Sequence, residues 1–150
     1  MALSMLHVPT VEDLRQAHSR FLEVEPRDLF YRAATELVRL AFADQKSLTV
    51  AEALAVLLQT WNRSYYRYRR FDDQHFAEID ALIAKRRQPL MDFRNRSIDS
   101  FCDEDEATVR RLFEDFETVL GPVGAAKCLH LVAPSFFPLW DRAIAVGYGL

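Results

Sequence analysis

Apolar residues recur along this chain at intervals of three and four, the spacing that puts them on one side of an α-helix. After Thr10, the residues Val11, Leu14, Ala17, Phe21 and Leu22 share a face, and Asp13 stands where a capping box places its acid. Pro26 and Asp28 interrupt that pattern, and Leu29, Phe30, Ala33, Ala34, Leu37, Val38, Ala41 and Phe42 begin a second, more strongly amphipathic one. Thr49 with Glu52 predicts a cap for a third helix through Val50, Leu54, Leu57, Leu58 and Trp61, apolar nearly all round and therefore central. A fourth starts at Asp72 or Asp73, turns Phe76, Ile79, Leu82 and Ile83 inward, and ends in Lys85, Arg86 and Arg87, where positive charge suits a helix C-terminus. Pro89 is expected to close it, with an irregular connection over 89–102. Asp103 with Glu106 is expected to cap a fifth helix bearing Val109, Leu112, Phe113, Phe116, Val119 and Leu120, which Gly121 ends. A short helix through His130 to Ala133 then stops before Pro134, and Asp141 is placed to cap a final helix towards Tyr148.

The expected fold is all-α: an orthogonal bundle of six to seven helices in a single domain over residues 1–150, with the third helix at its centre. Half the residues are hydrophobic, enough for a core without metal or disulfide, and neither Asn-Gly nor Asp-Gly occurs to signal a β-hairpin. Cys102 and Cys128 lack Cys-x-x-Cys or flanking-His spacing, so both are read as reduced thiols, Cys128 as core packing. The longest apolar run, Val50 to Leu58, contains Glu52 and is about half of what a bilayer span needs. With no secretory apolar region at the start, a cytoplasmic protein without membrane partners is expected. The closing Gly147-Tyr148-Gly149-Leu150 carries no charged tail, which leaves open a chain that continues past Leu150.

Candidate chemistry concentrates in residues 119–141. Gly121-Pro122-Val123-Gly124 is expected to form a tight bend between two helices, with backbone N–H groups and the following helix N-terminus suited to an anion such as phosphate. Pro138-Leu139-Trp140-Asp141 follows, with a carboxylate at a helix start. These residues resemble the helix-hairpin-helix DNA glycosylase superfamily. The resemblance covers about thirty residues and implies that a similar hairpin grips the DNA backbone and that an Asp at the next helix start does the chemistry. It makes Gly121 and Gly124 the hairpin glycines, Lys127 the candidate Schiff-base nucleophile and Asp141 the candidate catalytic carboxylate. The glycines here stand three apart where the family has two, and Lys127 follows three residues after the second. The same residues also admit a purely structural account: Gly121 as helix C-cap, Gly124 as turn residue, Asp141 as N-cap, and Lys127 and His130 sharing one helical face.

The second segment is Trp61-Asn62-Arg63-Ser64-Tyr65-Tyr66-Arg67-Tyr68-Arg69-Arg70. Arginine neutralises phosphate and tyrosine stacks on unpaired bases, so Arg63, Arg67 and Arg69 are candidate nucleic-acid contacts. The alternative is a helix leaving the core, with tyrosine bodies buried and arginines paired with acids of the 103–117 run. Asn62, an amide beside a Trp at a helix end, must find a partner in backbone or ligand.

Charge sharpens this picture. The net charge of −3 argues against an indiscriminate polyanion binder, yet residues 63–96 hold nine Lys or Arg against five acids, while 103–117 hold seven acids against two Arg. No phosphate loop, dinucleotide fingerprint, His-Glu-x-x-His or Gly-x-Ser-x-Gly occurs, which argues against nucleotide hydrolysis, dehydrogenation, zinc proteolysis and α/β-hydrolase chemistry. No cofactor or metal is expected. Three functions follow as expectations. The leading one is a helix-hairpin-helix-like domain that contacts DNA phosphates. The second is a protein-interaction or homo-oligomerisation domain. The third is a small-molecule site, which requires Trp61, Asn62, Lys127, His130, Trp140 and Asp141 to converge.

Overall fold

The computed structural model describes residues 9–26, 28–43, 48–139 and 146. Every regular element among them is helical, so the fold is all-α: α1 (Val11–Val24), α2 (Leu29–Phe42), α3 (Val50–Trp61), α4 (Arg63–Tyr66), α5 (Asp73–Lys85), α6 (Arg87–Arg94) and α7 (Glu106–Val132), with turns of 3-10 helix at Ile98–Ser100 and Asp103–Asp105. The final helix expected from Asp141 lies outside the described residues. Among the described residues no helix is long and apolar enough to cross a membrane.

The chain divides into two compact units, residues 1–29 with 140–150, and residues 30–139. In the first, α1 carries the expected capping box: Thr10 Oγ1 accepts from Asp13 N–H at 3.2 Å while Asp13 Oδ2 accepts from Thr10 N–H at 2.8 Å. That reciprocal pair satisfies two donors that a helix start leaves without internal partners.

The second unit is built around α3. Val50, Ala51, Ala53, Leu54, Ala55, Leu57 and Leu58 are all buried, as an all-round apolar helix requires. Thr49 and Glu52 form its capping box at 3.1 and 2.7 Å. Ala34 and Val38 of α2, Ile79 and Ile83 of α5, Leu90 and Phe93 of α6, and Leu112, Phe116, Leu120 and Leu129 of α7 complete the core with Phe136 and Phe137. Cys128 is buried among them, where desolvation pushes its thiol far above the usual range and keeps it protonated.

Two local readings are corrected. Residues 89–94, expected as irregular chain, belong to α6, which already begins at Arg87, and Pro89 does not close α5 but occupies the first turn of the next helix. A proline is tolerated there because the first N–H groups of a helix have no carbonyl to meet. The first internal bond, Leu90 N–H to Arg86 C=O at 3.1 Å, starts just after it. At the start of α7 the cap expected from Asp103 and Glu106 is not formed: Asp105 is the N-cap and makes no side-chain cap bond to the helix. Its carboxylate instead accepts from Cys102 N–H at 3.0 Å, and Arg96 holds it from the other side with Nη1 to Oδ1 at 2.8 Å and Nη2 to Oδ2 at 2.5 Å. That guanidinium holds the Asp105 carboxyl far below the ordinary carboxylate range.

Candidate functional site

The segment Gly121–Gly124 does not separate two helices with a loop. Gly121 alone leaves helical geometry, at φ 69° and ψ 169°, and Pro122 opens the continuation of α7. Glycine is dictated twice at this break: the conformation is essentially closed to other residues, and a Cβ would lie 3.2 Å from the Tyr65 ring. Proline suits the residue after it, because its fixed φ is helical and its missing N–H has no acceptor at a helix start. Gly124 is already inside the helix and buried, and a Cβ there would come 2.9 Å from Leu120 Cβ and 3.2 Å from Asn62 Nδ2. Its role is therefore close packing, not the second bend of a hairpin.

Beyond Gly124, the α7 face that carries Lys127 and His130 meets the C-terminus of α3. Lys127 Nζ donates to the Trp61 carbonyl and stands 5.9 Å from the centroid of the Trp61 ring. An ammonium at that place stabilises the negative end of α3 and satisfies a carbonyl that the helix leaves over. Tyr31 of α2 stacks on Trp61 with ring planes 8° apart and centroids at 5.8 Å, and on His130 at 5.6 Å. His130 Nδ1 lies 2.8 Å from the Phe137 carbonyl and Nε2 lies 3.0 Å from Tyr31 Oη. A carbonyl only accepts, so in the neutral ring Nδ1 carries the proton and Nε2 accepts from the phenol.

Asn62 lies between Trp61 and α4. Its backbone ends one helix and begins the next: N–H to Leu58 C=O at 2.8 Å, and C=O from Tyr65 N–H at 3.0 Å. The residue is 7% exposed, and Nδ2 has no hydrogen-bond partner among the described residues. A buried amide donor left unpaired costs about 1–3 kcal/mol, so its retention calls for an explanation. Of the six side chains named as a possible shared site, Trp61, Lys127 and His130 are linked through contacts with one another and with Tyr31, whereas the Asn62 side chain lies against Gly124. Trp140 and Asp141 lie outside the described residues. Tyr31 carries no distinguishing motif, and the sequence pattern does not single it out.

The Arg/Tyr segment splits by residue. Tyr65 Oη donates to the Val119 carbonyl at 3.2 Å, and Tyr66 Oη lies 3.1 Å from Nε2 of the buried His75. Burial pushes the Tyr66 phenol up and, with the Arg69 charge, pulls His75 down, so both stay neutral near pH 7. His75 Nδ1 is 3.5 Å from Glu78 Oε2 without hydrogen-bond geometry. Arg69 is bound to Glu78 and reaches Tyr65 Oη at 3.3 Å. The expectation that the 103–117 acids would neutralise these arginines is corrected: Asp115 pairs with Arg86 and with Lys85 at 3.4 Å, and Asp105 pairs with Arg96. Arg63, Arg67 and Arg70 are exposed, and their side chains have neither ion pair nor hydrogen bond among the described residues. Tyr68 is 88% exposed between them.

Among the described residues no three His, Cys, Asp or Glu side chains are grouped to hold a metal ion. Compared with known proteins, the chain matches no family model, no curated protein and no solved structure.

Proposed function

We propose that residues 30–139 bind nucleic acid through its phosphate backbone, with Arg63, Arg67 and Arg70 as the phosphate contacts. One observation carries this reading: the three guanidinium groups lie on one short segment, exposed and without a partner among the described residues, while the intervening Arg69 is tied to Glu78 and Tyr65. An arginine without an internal acid keeps its full charge for an outside anion and pays no cost to break a pair. Arg69 acts as the anchor of the segment. Lys127 enters as the cation that caps α3, and Gly121 and Gly124 as packing residues beside it, so the reading is one of binding and not of base excision.

The test is the affinity of a labelled oligonucleotide across a salt series. Each phosphate contact contributes a slope of about −0.7 for single strands or about −0.9 for duplex in log K against log salt. Replacing Arg63, Arg67 and Arg70 together by Ala is expected to flatten the slope by about 2 and to leave the fold intact. Absence of binding, or binding indifferent to salt, rejects the reading.

A second reading rests on the buried Asn62 Nδ2, which has no hydrogen-bond partner among the described residues and lies against Gly124 where the end of α3 meets α7: a small polar ligand with an acceptor oxygen, received at that contact. Its test is a screen of small carboxylates and amides by thermal shift. Stabilisation that is lost in Asn62→Ala supports it, and equal shifts in wild type and variant reject it.

A further inference from the structure

We infer that the arginine segment takes an unpaired strand, with Tyr68 as the residue that stacks on a base. The inference rests on the phosphate-binding reading above and adds the class of nucleic acid. The three tyrosines of this segment have different fates. Tyr65 is fixed by Val119, Arg69 and the edge of the Tyr66 ring at 5.1 Å, and Tyr66 is fixed by His75 and by the Phe71 ring at 4.8 Å. Their ring faces are spent on the protein. Tyr68 is 88% exposed, and its side chain has no ring partner or hydrogen bond among the described residues. A tyrosine ring left in water presents a large apolar surface that binding can cover, and here it lies one residue from Arg67 and two from Arg70.

The strand class follows from what each nucleic acid offers. In a duplex the base faces are already stacked on each other, and an aromatic side chain reaches them only by opening a step at a cost of a few kcal/mol. An unpaired strand presents every base face at once, and its phosphates can follow a curved line of cations. Arginines flanking one open aromatic ring therefore match the single strand on both counts, whereas a duplex uses the arginines and leaves the ring idle.

The experiment uses the full chain and two labelled probes of about 15 nucleotides, a thymidine-rich single strand and a duplex of equal length, read by fluorescence anisotropy at fixed salt. Wild type is expected to favour the single strand. Tyr68→Ala is expected to weaken single-strand binding by about 5- to 100-fold with little change for the duplex, and Tyr68→Phe, which keeps the ring, to restore it. An 88% exposed side chain contributes little to folding, so unchanged thermal unfolding of Tyr68→Ala serves as the control. If the duplex binds as tightly as the single strand, or if Tyr68→Ala binds like wild type while the arginine variants weaken both probes, the single-strand inference falls and phosphate binding stands. If neither probe binds in a salt-dependent way, both fall.

Discussion

The two limbs of α7, either side of Gly121, are made of the same secondary structure and put to opposite uses. From Glu106 to Leu120 only Leu112, Phe116 and Leu120 are buried, in a single stripe, and Glu114, Glu117 and Thr118 face water. From Pro122 onward Gly124, Ala125, Ala126, Cys128, Leu129, Leu131 and Val132 are buried, so nearly the whole circumference is enclosed. An enclosed helix has few positions for polar side chains, and the second limb spends them on Lys127 and His130, both of which make hydrogen bonds to carbonyls of other segments. Polar groups on the first limb are there for solubility and surface pairing, whereas those on the second limb hold the end of α3 and the chain at Phe137 in place.

That contrast can be broken most severely at the joint. Gly121→Val forces a β-branched residue into a conformation reserved for glycine and drives it against the Tyr65 ring, and is expected to cost on the order of 3 kcal/mol in urea denaturation. Gly124→Ala gains helix propensity of about 1 kcal/mol but places a methyl 2.9 Å from Leu120 Cβ, for an expected net loss of about 1–2 kcal/mol. A neutral or stabilising result there would show that the limbs slide apart easily. Lys127→Met keeps the length of the side chain and removes the ammonium from the α3 terminus, an expected loss of about 1 kcal/mol that weakens at high salt.

At the start of the first limb, Arg96 and Asp105 both reach water, with side chains 30% and 12% exposed, and their effect depends on pH. The Asp105 carboxyl is depressed in the folded protein, so the unfolded chain binds the proton more readily and the stabilisation is fully present only above the ordinary carboxylate value near ~4. Arg96→Ala is therefore expected to lower the urea midpoint at pH 7 by less than the changes above, with the gap to wild type narrowing as pH falls below about 4. A gap that does not change with pH would mean that Arg96 acts through its packing over the Phe93 and Phe136 rings, at 5.3 and 5.1 Å. The smallest effect is expected for Glu117→Ala on the wet side of the first limb, within about 0.5 kcal/mol.

Much of the frame was legible from short-range chemistry. The capping boxes at Thr10 and Thr49 and the cap at Asp72 each need only residues three apart, so their spacing in the chain already contains their geometry. The central place of α3 follows from having no polar side wide enough to meet water. Pro89 was misread because proline marks both the end of one helix and the first turn of the next, and only Arg86 leaving helical geometry, at φ −108°, decides between them. The candidate site was legible as a list and not as a shape: Trp61, Asn62, Lys127 and His130 were singled out, whereas Tyr31 was not.

The sequence alone determined the helical class, three of the helix starts and the burial of α3, because each depends on the order of residues within a turn or two. Tertiary structure decided which charges are spent and which remain. Arg69 and Arg70 are indistinguishable neighbours in the chain, yet one finds Glu78 across a turn and the other faces water. The energy of an ion depends on distance and burial, and folding sets both between residues that the sequence holds far apart.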